Sequence, residues 1–170
     1  MDLVTALAVV IGILGGLATY ALLSPIGFGL QIWAVFVGWA SFYHCGGKTQ
    51  GFLSSTLANL WGVLWGVLTL VAVTKTGMAD SLSLPVWAGI CVAVGVGLMI
   101  LGAKLPGFGA IPAQVYGFAA TVAFTLLTNT AGALTEPTLG NPAIIVALSL
   151  VLGNVLGYIS EAIAGSVARA

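Results

Sequence analysis

Four carboxamides, Gln31, Asn59, Gln114 and Asn154, stand in segments otherwise made of apolar and small residues. A carboxamide offers N–H donors and a carbonyl acceptor and carries no charge. Left unpaired in hydrocarbon it is costly. Each must therefore bond to backbone, to a neighbouring helix or to a passing solute. The chemistry open to such groups is recognition of a neutral polar molecule, not proton transfer. Thr121 belongs to the same pattern. Gln114, Gly117, Thr121, Thr125 and Thr128 step by three and four residues and share one helical face. Ser55, Asn59, Gly62, Gly66 and Thr69 form a second such face, and Ser149, Gly153, Gly157 and Ser160 a third. Small faces also let helices approach closely. Two readings therefore stand side by side: packing seams, and the lining of a narrow neutral pathway through Gln31, Asn59, Gln114, Thr121 and Asn154.

The absences narrow the chemistry further. No Asp, Glu, Lys or Arg lies deep in an apolar segment, whereas proton relays and ion-coupled carriers usually keep one there. Glu161 falls in the last turn of the final segment and reads as a solvated helix end. The sequence shows no nucleophile–base pair, no carboxylate pair and no metal-ligand spacing. The expectation is therefore a protein that is not an enzyme, with no catalytic residue, no metal and no cofactor. Cys45 and Cys91 read as reduced thiols. His44 is the only histidine. It is a candidate gate, since imidazole titrates near neutral pH; the alternative is an interfacial histidine bonded to a carbonyl.

The elements that position these residues follow from composition. Hydrophobic residues make up 60% of the 170 residues and charged residues 5%, against about 25% charged in soluble domains. The four basic and four acidic side chains cancel, so nothing points to nucleic acid. The expected partner is the lipid bilayer. Crossing about 30 Å of hydrocarbon takes roughly 20 helical residues. Six such segments fit, at 3–23, 28–45, 51–74, 84–103, 108–128 and 142–164. They are uniformly apolar, not alternating as barrel strands are. The first lacks a basic leader region and reads as a retained helix. The fold class is all-α, a polytopic membrane protein forming a single membrane domain over 1–170. Lys48, Lys104 and Arg169 fall on one side and Lys75 on the other, which places both termini in the cytoplasm by the positive-inside rule.

A repeat divides the chain. Gly27-Phe28-Gly29 and Gly107-Phe108-Gly109 are 80 residues apart, as are Gly15 and Gly95, Val35 and Val115, and Ser41 and Thr121. Gly62-x-x-x-Gly66 and Gly153-x-x-x-Gly157 are 91 apart. The reading is two three-helix repeats, 1–76 and 77–170. Three spans begin and end on opposite sides, so the second copy is inverted, a plan common in transporters. The Gly-Phe-Gly motifs then become a symmetric pair of pore mouths, or else tight interhelical turns.

The run Trp39-Ala-Ser-Phe-Tyr-His-Cys-Gly-Gly-Lys48, together with the six-span layout, resembles domain of unknown function (DUF) family 1097, small bacterial inner-membrane proteins. The resemblance covers nearly the whole chain. It implies a location in the bacterial inner membrane and transfers no activity. The expected function is a channel or facilitator for a small neutral polar solute, working as a homo-oligomer through the glycine faces. The alternatives are an ion-coupled secondary transporter and a non-transporting membrane scaffold.

Overall fold

The computed structural model describes residues 1–169; Ala170 lies outside it. The described chain is all-helical. Its α-helices are α1 (Leu3–Leu23), α2 (Ile32–His44), α3 (Lys48–Lys75), α4 (Met78–Leu82), α5 (Leu84–Leu101), α6 (Ile111–Leu127) and α7 (Pro142–Arg169). Short 3-10 turns follow α1, α5 and α6. Among the described residues, four segments are long and apolar enough to cross a membrane: Leu3–Leu23, Lys48–Lys75, Leu84–Lys104 and Pro142–Ala168. The protein is membrane-embedded on that ground. Asp2 caps α1, accepting from the Thr5 N–H at 3.0 Å and from the Thr5 hydroxyl. These bonds hold its carboxyl below the usual carboxylate range.

The segments 28–45 and 108–128 depart from the sequence expectation. Their α-helices begin later, at Ile32 and Ile111, and both Gly-Phe-Gly motifs lie outside the α-helices. The backbone is the reason. Phe28 (φ 48°), Gly29 (φ 77°) and Gly107 (φ 87°) are left-handed, a conformation that cannot continue a right-handed helix. With 13 residues in α2 and 17 in α6, their lengths are about 20 and 26 Å, short of a full span. The short helix α4 occupies the stretch around Gly77 and Asp80, which reads as a plain loop in the sequence.

The long helices α3 and α7 pack on each other at the centre. Helix α2 lies along α7, and α6 lies along α3; α1 packs on α7, and α5 on α3. The glycines set these contacts. A Cβ at Gly38 would overlap the Leu150 carbonyl, and one at Gly153 the Val35 carbonyl. A Cβ at Gly117 would overlap the Asn59 carbonyl, and one at Gly62 the Gln114 carbonyl. Gly157 faces Phe42, and Gly66 faces Thr121. The two sets map onto each other number by number. Adding 79 to the α2 residues 35, 38 and 42 gives 114, 117 and 121 on α6. Subtracting 91 from the α7 residues 150, 153 and 157 gives 59, 62 and 66 on α3.

Within the helices the offset is therefore 79, not the 80 of the Gly-Phe-Gly motifs. Two residues separate Gly29 from α2, whereas Ala110 alone separates Gly109 from α6. Sequence matches at 80 inside the helices, such as Ser41 with Thr121, are not packing equivalents. A second correction concerns assembly. Gly62, Gly66, Gly153 and Gly157 are consumed by packing within one chain, so they are not free to make the oligomer contact expected of them.

Candidate functional site

Four helices contribute to one buried polar network. The Asn59 carboxamide of α3 is its hub. Its N–H groups donate to Ser41 Oγ of α2 at 3.1 Å and to the Ala113 carbonyl of α6 at 2.8 Å. Its carbonyl accepts from Asn154 Nδ2 of α7 at 3.0 Å. Ser41 and Ser55 share a hydroxyl bond of 2.7 Å. Gln114, the residue after Ala113, donates to the Phe108 carbonyl at 2.6 Å. Ser41, Ser55, Asn59, Gln114 and Asn154 are all fully buried. The i, i+4 spacing of Ser55 and Asn59 puts them on one face of α3. The glycine seams beside them let the four backbones come close enough for short side chains to bridge.

Two buried carboxamide oxygens have no partner: Asn154 Oδ1 in the network and Gln114 Oε1 beside it. The orientation of both amides is set by their surroundings. Asn154 Nδ2 donates to two acceptors, Asn59 Oδ1 and the Leu150 carbonyl, and Gln114 Nε2 donates to a carbonyl. Turning either amide over would place oxygen against oxygen.

A cavity of about 640 Å³ opens at the end of the bundle that carries Lys48 and Lys104. Its walls are His44, Cys45 and Gly46 from the end of α2, Gln50 and Ser54 from α3, and Gly107, Gly109, Ala110 and Pro112 leading into α6. Ser55 and Asn59 follow Ser54 along α3, so the network lies roughly a turn deeper than the cavity wall. At the rim His44 Nδ1 and the Tyr116 hydroxyl are hydrogen-bonded at 2.8 Å, tying α2 to α6. His44 therefore bonds to a phenol, not to the carbonyl the sequence suggested as the alternative to a gate.

The sequence-derived residues separate into groups. Asn59 and Asn154 meet directly; Gln114 is next to Ala113 in the chain, and its side chain bonds the Phe108 carbonyl. Thr121 does not join; its hydroxyl donates to the Gly117 carbonyl and its side chain packs on Gly66. Gln31 lies at the other end of the bundle. It starts α2, its backbone N–H donates to Ser149 Oγ and its side chain to the Gly29 carbonyl. The two Gly-Phe-Gly motifs are unlike. Gly107 and Gly109 line the cavity and Phe108 packs on Trp61, whereas Phe28 is 79% exposed.

Ser41 is a network member that the polar-face reading missed, since α2 has no repeating polar face. A second polar hub is Ser160, which the sequence places on the small face of the last helix; its hydroxyl meets Trp39 Nε1 at 3.0 Å and the Tyr43 hydroxyl at 2.8 Å. Glu161, read as a solvated helix end, accepts from the Lys48 N–H at 2.6 Å and caps α3. Among the described residues, no three or more His, Cys, Asp or Glu side chains gather to hold a metal ion.

A family model described as protein of unknown function (DUF1097) matches residues 8–165. The chain belongs to the DUF1097 family. No curated protein and no solved structure matches it. Membership agrees with the resemblance carried by the Trp39–Lys48 run, and it brings no activity with it. For this DUF1097 protein the functional reading rests on the site itself.

Proposed function

We propose that this protein is a facilitator for a small neutral polar solute in the bacterial inner membrane. The observation that carries this reading is the cavity beside His44, backed by a fully buried, uncharged hydrogen-bonding network drawn from four helices. The walls of that route contain carboxamides, hydroxyls and backbone carbonyls. Such groups replace the water shell of a neutral solute, whereas an ion calls for charged or more numerous ligands.

The six longer helices are two inverted three-helix units, α1–α3 and α5–α7. The paired glycine contacts support this, as does the matching order of packing partners. In this arrangement α2 and α6 are broken spans, completed by the non-helical segments before them. Broken helices at a repeat interface are where transporters place their sites, because unwound backbone is tolerated only where protein or a cavity covers it. Both termini are cytoplasmic, so the cavity opens to the cytoplasm. The reaction is passage, not catalysis. The proposed homo-oligomer uses the exposed faces of α1 or α5, since the central glycines are already covered.

One observation favours a route that opens and closes over a standing channel. Val63, Ala120, Val146 and Leu150 form an apolar cluster at the far half of the helices, where the buried polar groups, Thr69, Thr125, Asn141 and Ser149, form no network joining four helices. Purified protein in liposomes tests the reading, with influx of urea, acetamide and glycerol followed by light scattering. Protein-dependent influx of at least one solute is expected, and Asn59→Leu lowers it about tenfold while the protein still assembles. Influx that requires a proton or sodium gradient instead identifies an ion-coupled carrier. No influx of any of these solutes, with a stable co-purifying partner, identifies a scaffold.

A further inference from the structure

We infer that the solute taken by this site is a neutral hydrogen-bond donor, an N–H or O–H compound, and that molecules able only to accept are rejected. This deepens the facilitator reading and rests on it. The hydrogen bonds around Asn59 leave few polar groups unused. Both Asn59 N–H groups are occupied, by Ser41 and Ala113, and its carbonyl is occupied by Asn154. Asn154 Nδ2 is occupied twice. The atoms with no partner at all are both carbonyl oxygens, Gln114 Oε1 and Asn154 Oδ1, in side chains with no exposed surface, and the one donor left beside them is the second N–H of Gln114 Nε2. A buried acceptor without a partner is costly. A donor that reaches either oxygen recovers that cost; an acceptor-only molecule adds lone-pair repulsion.

The charge environment argues for a neutral donor over a cation. Asp2 caps α1, Asp80 lies in α4, Glu136 follows α6 and Glu161 caps α3. No carboxylate belongs to the network, so a cation leaving water there would find no counter-charge. The selectivity expected of such a site is strong for its size. A site whose polar groups are left unpaired by the wrong solute discriminates better than one that measures bulk alone.

Isomeric solutes isolate the effect. Butyramide and N,N-dimethylacetamide have the same atoms, but only the first has N–H groups; propionamide and N-methylacetamide form a second pair, with two N–H groups against one. Influx into liposomes is measured with and without the protein, and the protein-dependent part is compared. Butyramide is expected to enter about tenfold faster than its isomer, the worth of roughly one buried hydrogen bond, with a smaller preference in the second pair. Gln114→Met and Asn154→Leu each reduce that preference, with assembly checked by size-exclusion chromatography. Should both variants fail to assemble, the wild-type isomer ratio alone decides. Protein-dependent influx of both isomers at equal rates overturns the donor inference and leaves facilitation standing. No protein-dependent influx of these amides, with urea and glycerol equally excluded, overturns facilitation itself and the inference with it. A preference for methylammonium over butyramide overturns the neutral-donor assignment.

Discussion

Ser41, Ser55, Asn59 and Asn154 lie toward the Lys48 end of the bundle. The positions related to them by the packing offsets lie toward the other end. Adding 79 to Ser41 gives Ala120, adding 91 to Ser55 and Asn59 gives Val146 and Leu150, and subtracting 91 from Asn154 gives Val63. All four belong to one apolar cluster, with Leu70, Leu134 and Ala143. The backbone seams of the two regions match, while their side chains are opposite in chemistry. Packing and polarity are thus separate properties of this fold. Glycines at equivalent places bring the helices together in both regions, and the carboxamide network that joins four helices is present in one region only. The polar region sits beside an open cavity; on the proposed facilitator reading, the apolar region is the barrier.

The largest effect tests what the two regions share. Gly62→Val and Gly153→Val each force a side chain into a backbone carbonyl, Gln114 in one case and Val35 in the other. Each is expected to destabilise by about 3 kcal/mol, read as a drop in thermal midpoint in detergent. If one is tolerated and the other is not, the two seams are not equivalent. The next effect tests what differs. Leu150→Asn puts an unpaired carboxamide into the apolar cluster, and Asn59→Leu strips partners from Asn154, Ser41 and the Ala113 carbonyl. Each is expected to cost about 2 kcal/mol, although the substitutions are chemical opposites at matched positions. A stabilising Asn59→Leu would show that the network is not needed for assembly. The smallest effect lies outside both regions. Glu161→Gln weakens the cap of α3 by about 0.5 kcal/mol and leaves solute influx unchanged.

Much of the fold is legible in the sequence, and the reasons are physical. Span length and apolarity place α1, α3, α5 and α7, because a helix in lipid needs a long run of apolar residues and little else. The polar faces of α3, α6 and α7 follow from spacing alone, and these faces do meet. The lengths of α2 and α6 are not legible, since the left-handed backbone at Phe28 and Gly107 depends on neighbours distant in sequence. A Cβ at Gly107, for example, would touch the Leu57 side chain. The same holds for the one-residue slip between motif and helix, which makes a match at 80 look as good as the true packing offset of 79. Of the candidate site, Asn59, Gln114 and Asn154 are legible as buried carboxamides. Ser41 is not, because a single serine in a helix of aromatic and aliphatic residues carries no periodic signal. Gln31 looks like its equal in sequence and lies at the other end, since one-dimensional polarity says nothing of depth.

The most direct measurement is acetamide influx into liposomes carrying wild type or Leu150→Ala, at matched protein density and with assembly verified. Leu150 is the apolar counterpart of Asn59, and removing its bulk thins the barrier without touching the polar network. A several-fold rise in influx is expected, reversed by adding Asn59→Leu. An unchanged or lower influx in a correctly assembled Leu150→Ala protein would contradict a solute route through these two clusters.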